Sequence, residues 1–329
     1  MRLLRTIIVP LLIIGLLIGA GINSLAAPEG KKVITFYYIA QPSGADPVFA
    51  AWRQGALDAA KAMSTLGVPV KVVFRFAEGD TSKLSPWIDE AVAAGADAIV
   101  LVAFDPGTVA DAIARAVDSG VPVCMSIIDL PTTKRTNFVG VGDLWKLGRM
   151  KAEPLDPYLY DGCYVLACHE EISPRSLTYK KAALEHWEKD LGIHVNIVDL
   201  EVTNDLSTAE SRIVAELSAH PHKYVAILAM GGISTAAANL AEKDLGLKPG
   251  ELPITGLDFL DPTIEGIKEG YTLGVISWQP WQSGYLPIVL LYPQIRWGIT
   301  APTYVATGFT LVTKKNLDIF IKHVKEHRW

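Results

Sequence analysis

The sequence predicts an α/β protein built as two parallel-sheet lobes, and three observations carry that expectation. Short apolar runs alternate with longer helical patterns, the rhythm of a parallel sheet covered on both faces. The rhythm restarts after a polar, proline-containing stretch around residues 151–161, so one chain holds two similar halves. At 329 residues, half of them hydrophobic, the chain exceeds one small domain and suits two lobes of about 130–150 residues.

In chain order the first expected strands are 33–40, 70–76, 98–103 and 121–126, with helices at 48–66, 82–94 and 107–118 between them. Small-residue breaks, AAGAD before Ala98 and DSGVP before Val121, end a helix and admit the next strand. The second half offers strands at 164–168, 195–200, 224–229, 254–257 and 273–277, again separated by helical patterns. A helix-like segment at 281–297 and a tail at 304–312 are too little for a third domain. They are expected to return and complete the lobes.

The first residues read as an export signal. Arg2 and Arg5 precede a near-continuous apolar run at 7–22, and Ser24-Leu25-Ala26 offers small residues for cleavage. Pro10 interrupts a run already short for a bilayer span. Residues 1–27 are therefore expected to be a cleaved leader, or else a retained anchor that would be the chain's one membrane contact. No cysteine follows the run, which disfavours a lipid anchor. The expected location is the periplasm or the outer face of the cytoplasmic membrane.

Several function classes are disfavoured. A formal charge of -5 and a pI near 5.8 argue against nucleic acid, which calls for a basic patch that releases counterions. The cysteines, Cys124, Cys163 and Cys168, are odd in number. In an extended CYVLAC segment the last two would stand roughly 16 Å apart, beyond disulfide reach. Seven scattered histidines, with no HExxH and no CxxC, offer no readable metal site. After the first strand, Ile39-Ala40-Gln41-Pro42-Ser43-Gly44 is no dinucleotide-binding turn, and neither GxSxG nor a P-loop occurs. A binding protein without cofactor is expected, not an enzyme.

In open α/β sheets ligands sit beyond the carboxyl ends of the strands, where helices begin and backbone N–H groups point outward. The residues at those places are polar or aromatic: 41–49, Asp105, Asp129, Asp143, 169–175, Asn204, 231–234, Asp258 and 278–282.

Four stretches, taken in order and spacing, resemble one known group. They are AAGADAIVLVAFDPGTVADAIARAVDSGVPV at 93–123, VGVGDLWKLGRMKAE at 139–153, ITGLDFLDPTIEGIKEGYTLGVI at 254–276 and QPWQSGYLPIVLLY at 279–292. The chain after residue 31 resembles the sugar-binding proteins of bacterial ABC transporters of the ribose-binding type, which share their fold with the ligand domains of LacI-like repressors. The resemblance implies two doubly wound lobes joined by three crossing segments and closing like a hinge on a sugar or polyol. Residues 31–142 with 279–302 would form the first lobe, and 143–278 with 303–329 the second. The crossings would fall near 129–143, 277–280 and 302–304.

By position, the resemblance implies ligand contacts at Asp46 and Phe49 in a DPVF version of the first-loop motif, at Asp129 after the fourth strand, and at Asp258 in the GxD turn. It also implies Trp278 and Gln279 ahead of Pro280, while Arg175, Tyr179 and Lys180 compete for the second-lobe basic position. Asn204 and Gly231 complete the set as residues that follow second-half strands. Each has a plainer reading beside it: Asp46 and Asp258 could cap helices, Asp129 could form a turn, and Phe49 could be core. Asp143 is read mainly as the cap of the helix at 144–152.

Two departures stand out: Ile127 and Ile128 replace polar contacts, and Gly231-Gly232 replaces an Asn-Asp pair. Both favour a sugar other than ribose, a sugar alcohol or a partly apolar polyol derivative. The implied partners are a permease with its ATPase subunits, served by a monomer, with ligand sensing for a signalling receptor as the alternative. A repressor would need a helix-turn-helix where this chain has its apolar leader.

Overall fold

The computed structural model describes residues 33–44 and 47–329. The expected leader at 1–27 and Asp46 lie outside the described residues. From the N-terminal side the chain runs β1 (Ile34–Ala40), α1 (Pro47–Ser64), β2 (Val70–Phe76), α2 (Leu84–Ala93), β3 (Ala98–Val102), α3 (Ala110–Asp118), β4 (Val123–Ile127) and β5 (Asn137–Gly140). It continues through α4 (Leu144–Ala152), β6 (Tyr164–His169), α5 (Pro174–Lys189), β7 (Asn196–Glu201), α6 (Leu206–Ala219), β8 (Tyr224–Ala229), α7 (Gly232–Asp244), β9 (Ile254–Leu257), α8 (Asp261–Glu269) and β10 (Thr272–Ser277). The last elements are α9 (Pro280–Trp297), β11 (Tyr304–Ala306), β12 (Thr310–Thr313) and α10 (Leu317–Val324).

These strands make two six-stranded sheets, ordered β11-β5-β4-β3-β1-β2 and β12-β10-β9-β8-β6-β7. Every pairing is parallel except that of β10 with β12. The central strands are apolar on both faces because helices cover both, and β3 and β4 are buried at every residue. In each sheet the order reverses direction beside the first strand of its half, the place where such sheets open a crevice.

The chain passes between the sheets three times: between β5 and α4, between β10 and α9, and between β11 and β12. The third passage corrects an expectation. Residues 303–329 were expected in the second lobe, yet Tyr304–Ala306 pair with Phe138–Gly140 at the edge of the first sheet, so that passage lies at 307–309. A three-residue strand with two exposed side chains carries too little apolar pattern to be read in advance. The stretch at 151–161, read as the break between halves, is also structured: it ends α4, forms a 3-10 turn and buries Lys151 completely.

Helix α9 returns to the first lobe and packs along α1 at backbone contact. A side chain at Gly55 would stand 2.1 Å from the Trp281 carbonyl oxygen, and one at Gly284 would stand 1.9 Å from that of Trp52. Glycine at both positions is what lets the two helices touch. Buried polar groups tie this layer to the sheet: Tyr38 Oη donates to the Gly284 carbonyl at 2.6 Å, Trp52 Nε1 to Ser126 Oγ at 2.9 Å, and Ser126 Oγ to the Ser283 carbonyl at 2.9 Å. Tyr38, Phe49, Trp52, Phe74 and Phe76 form one aromatic cluster beneath the cleft.

Candidate ligand-binding cleft

The carboxyl ends of both sheets face a cavity of about 640 Å³, within the span of about 300–1,000 Å³ for small-molecule pockets. Residues from both lobes line it, and three backbone distortions fall in its walls or in the passage beside it. Ile127, Asp258 and Gln279 all have positive φ, at 69°, 63° and 62°. They end β4, end β9 and occupy the second passage between lobes. At Ile127 the distortion is a γ-turn, with Ile128 N–H donating to the Ser126 carbonyl at 2.8 Å. A β-branched residue in this region carries strain of about 1–3 kcal/mol, and such strain collects at functional sites.

The second lobe supplies most of the polar wall, organised around the start of α7. Glu170, just after β6, accepts the Ser234 N–H at 2.8 Å, placing a carboxylate where the helix dipole favours negative charge. Asp258 lies beside it after β9, with Trp278 Nε1 donating to its Oδ1 at 2.7 Å. These two carboxylates explain Gly231-Gly232. A Cβ on Gly231 would meet Glu170 Oε2 at 1.9 Å, and a Cβ on Gly232 would meet Asp258 Oδ2 at 2.9 Å. The glycines make room for acids delivered by neighbouring strands.

Of the three candidates for the basic position, Lys180 turns to Asp199, 2.5 Å away. Tyr179 is buried in the cavity wall, and burial raises its phenol pKa. Arg175 is the one cation of the three that lines the cavity, and its guanidinium lies 6.0 Å from the Phe104 ring centroid, across the cleft in the first lobe. Beneath this wall Lys151 donates to the Ala229 carbonyl at 2.8 Å and stands 4.8 Å from the Tyr179 ring centroid. Burial lowers its pKa to about 7.

The structure thus brings Phe49, Arg175, Asn204, Gly231, Asp258 and Trp278 to one cavity. It does not bring Asp129 or Gln279 there. The γ-turn at Ile127 leaves Asp129 outside the wall, where its two carboxylate oxygens pair with the Nε and Nη2 of Arg135. Gln279 serves the passage between lobes: it is the left-handed cap of α9, and its amide reaches Ser277 Oγ at 3.4 Å. Asp143 is the cap it was read to be, accepting the Lys146 N–H at 2.9 Å. Glu170 falls in the 169–175 stretch expected beyond a strand but was not named as a contact; its signal was an acid one residue past a strand, matched to a glycine pair opening a helix.

Residues 36–298 match the family model described as periplasmic binding protein domain. The chain belongs to the periplasmic binding protein family. As a family of binding proteins it accords with the expectation that this chain is not an enzyme. This periplasmic binding protein is 34% identical over 113 residues to the ABC transporter periplasmic-binding protein YphF of Escherichia coli (strain K12). That match spans 34% of the chain and 32% of the relative, about a third of each.

Its fold is shared with solved structures. A carbohydrate transporter of Acidothermus cellulolyticus 11B in complex with myo-inositol aligns over 89% of this chain and 99% of its own, with a TM-score of 0.73 at 22% identity. A periplasmic ribose ABC transporter of Conexibacter woesei DSM 14684 aligns over 92% and 98%, at 0.75 and 22%. A solute-binding protein of Burkholderia graminis C4D1M in complex with D-arabinose aligns over 86% and 96%, at 0.75 and 24%.

Proposed function

We propose that this protein captures a sugar or sugar-like polyol outside the cytoplasmic membrane and delivers it to the permease of an ABC transporter. The observation that carries the reading is the cleft itself: carboxylate, guanidinium, amide and indole groups from separate elements converge between two lobes that only three short passages connect. Ionised groups gain most from hydroxyl partners when water is excluded, and closure about three passages supplies that exclusion. In this reading Arg175, Asn204 and Asp258 bind hydroxyls, Trp278 and Phe49 cover apolar ring faces, and the Arg175–Phe104 contact seals the mouth. The solved neighbours bound to myo-inositol and D-arabinose support the ligand class.

Residues 1–27 act as the export leader, and the two lobes are the two sheets with their helices. The test is a thermal-shift screen of residues 28–329 against pentoses, hexoses and polyols, joined to mass spectrometry of whatever the unfolded protein releases. A sugar or polyol that raises the melting temperature, and that lowers the radius of gyration in solution scattering, supports the reading. A ligand of another class released from the cleft, with no response to any sugar or polyol, overturns it.

A further inference from the structure

The two sides of the cavity differ in kind. Among the described residues, the first lobe lines the cavity with an apolar group, Val48, Phe49, Ile127, Ile128 and Val141, beside the loops that carry Gln41, Ser43, Glu78 and Phe104; four of that group are less than a tenth exposed. The polar side chains that this lobe contributes, Gln41, Ser43 and Glu78, use part of their hydrogen-bonding capacity within the lobe. Gln41 Oε1 accepts the Phe104 N–H at 3.2 Å, and Glu78 accepts the Gly44 N–H at 3.1 Å together with a hydrogen bond from Ser43. Opposite them, Glu170, Arg175, Asn204 and Asp258 all belong to the second lobe.

We infer that the ligand is two-sided: a hydroxylated part faces the second lobe, and an apolar group, such as a deoxy position or an alkyl or aryl substituent, sits against the Val48–Ile127–Val141 wall. The inference rests on the sugar or polyol reading above and specifies it. A hydroxyl pressed against those five side chains on closure loses its water and finds no acceptor among them, a loss of roughly tenfold or more in affinity. A methylene in the same place gains about fourfold. The γ-turn reinforces the point, because it projects isoleucine, not a residue at ease with positive φ, into the cleft. A polar wall was sterically open to the same backbone, since Asn tolerates that conformation better.

The test compares matched pairs by titration calorimetry on residues 28–329: galactose with fucose, mannose with rhamnose, and free hexoses and pentoses with their methyl and phenyl glycosides. The expected result is that at least one deoxy, methyl or phenyl member binds tenfold or more tighter than its hydroxylated parent. Parents that bind as tightly as their partners overturn the inference while leaving the sugar reading intact. Binding by no member of any pair, with no response to any sugar or polyol in the thermal-shift screen, overturns both.

The variant Ile127→Asn supplies the second arm, because Asn suits the positive φ. It is expected to shrink the preference tenfold or more; the preference is a ratio of two affinities measured on the same variant, so stability lost at this buried position cancels from it. A preference unchanged in this variant overturns the placement of the apolar group.

Discussion

Trp278 Nε1 donates to Asp258 Oδ1 at 2.7 Å, joining the residue just past β10 to the carboxylate that ends β9. Both side chains are less than a tenth exposed. The indole therefore does two things: it covers the cavity and helps hold the Asp258 carboxylate in place. Trp278→Phe keeps most of the apolar surface and removes the donor. The expected cost is about 1.5–3 kcal/mol, the range for a hydrogen bond to a charged group, with roughly tenfold weaker ligand binding. Chemical denaturation and calorimetry read the two effects separately.

Gly231 and Glu170 should behave as a coupled pair. Gly231→Ala places a methyl 1.9 Å from a Glu170 oxygen, so the carboxylate must leave the Ser234 N–H. A loss of about 1–3 kcal/mol is expected from the overpacking. In Glu170→Ala the same glycine substitution should be nearly silent, and a double-mutant cycle should give a coupling above about 1 kcal/mol.

Lys151 makes stability depend on pH. Its pKa falls from an ordinary 10.5 to about 7 through burial, so between those values the unfolded chain holds one more proton than the folded one. Stability then rises with pH across that window, and the full penalty of a buried ammonium remains below about pH 7. Lys151→Met should melt several degrees above the parent at pH 6. By pH 10 the advantage should fall toward zero or reverse, because the bond to the Ala229 carbonyl, about 0.5–1.5 kcal/mol, is lost at every pH. Calorimetric melts at the two pH values decide it.

Asp58 anchors the C-terminal tail to α1. It accepts from Arg328 Nε at 2.8 Å and Nη2 at 3.0 Å, from Trp281 Nε1 at 3.0 Å and from Gln54 Nε2 at 2.9 Å. Hydrogen bonding from Arg328 is the largest of the causes that lower its pKa from 3.8 to about 2. A depressed acid stabilises above its unfolded pKa, and that contribution disappears as pH falls from about 4 to about 2. Asp58→Asn should therefore cost about 1–2 kcal/mol at neutral pH, allowing for the partial exposure of Arg328. At pH 2 it should cost almost nothing, and at neutral pH the tail beyond Val324 should exchange its amides faster.

The sheets were legible because their strands are long enough to pattern. The observed β2, β8 and β9 keep the expected bounds, and β1, β3 and β4 differ by one or two residues. β5, β11 and β12, of three or four residues each, were not legible: they are held by pairing with neighbours that only the fold supplies. The cleft residues read from strand ends, Phe49, Arg175, Asn204, Gly231, Asp258 and Trp278, share one cavity because parallel strands deliver all their carboxyl ends to one side. Asp129 stands outside that cavity, paired with Arg135 just past the γ-turn at Ile127, and an isoleucine gives no warning of positive φ. Glu170 could not be singled out within 169–175 because its partner, the Gly231 that opens α7, is 61 positions away in sequence.

The return of α9 and β11 to the first lobe sets the order in which the molecule can be finished. Tyr38 and Ser126 find their carbonyl partners only at Gly284 and Ser283, and the far edge of the first sheet waits for Tyr304. A nascent chain emerging N-terminus first therefore carries an incomplete first lobe until residues 304–306 are made, with pairings of high sequence separation that close slowly. Both sheets receive their last strands within one short stretch, 304–313, so the two lobes are completed almost together.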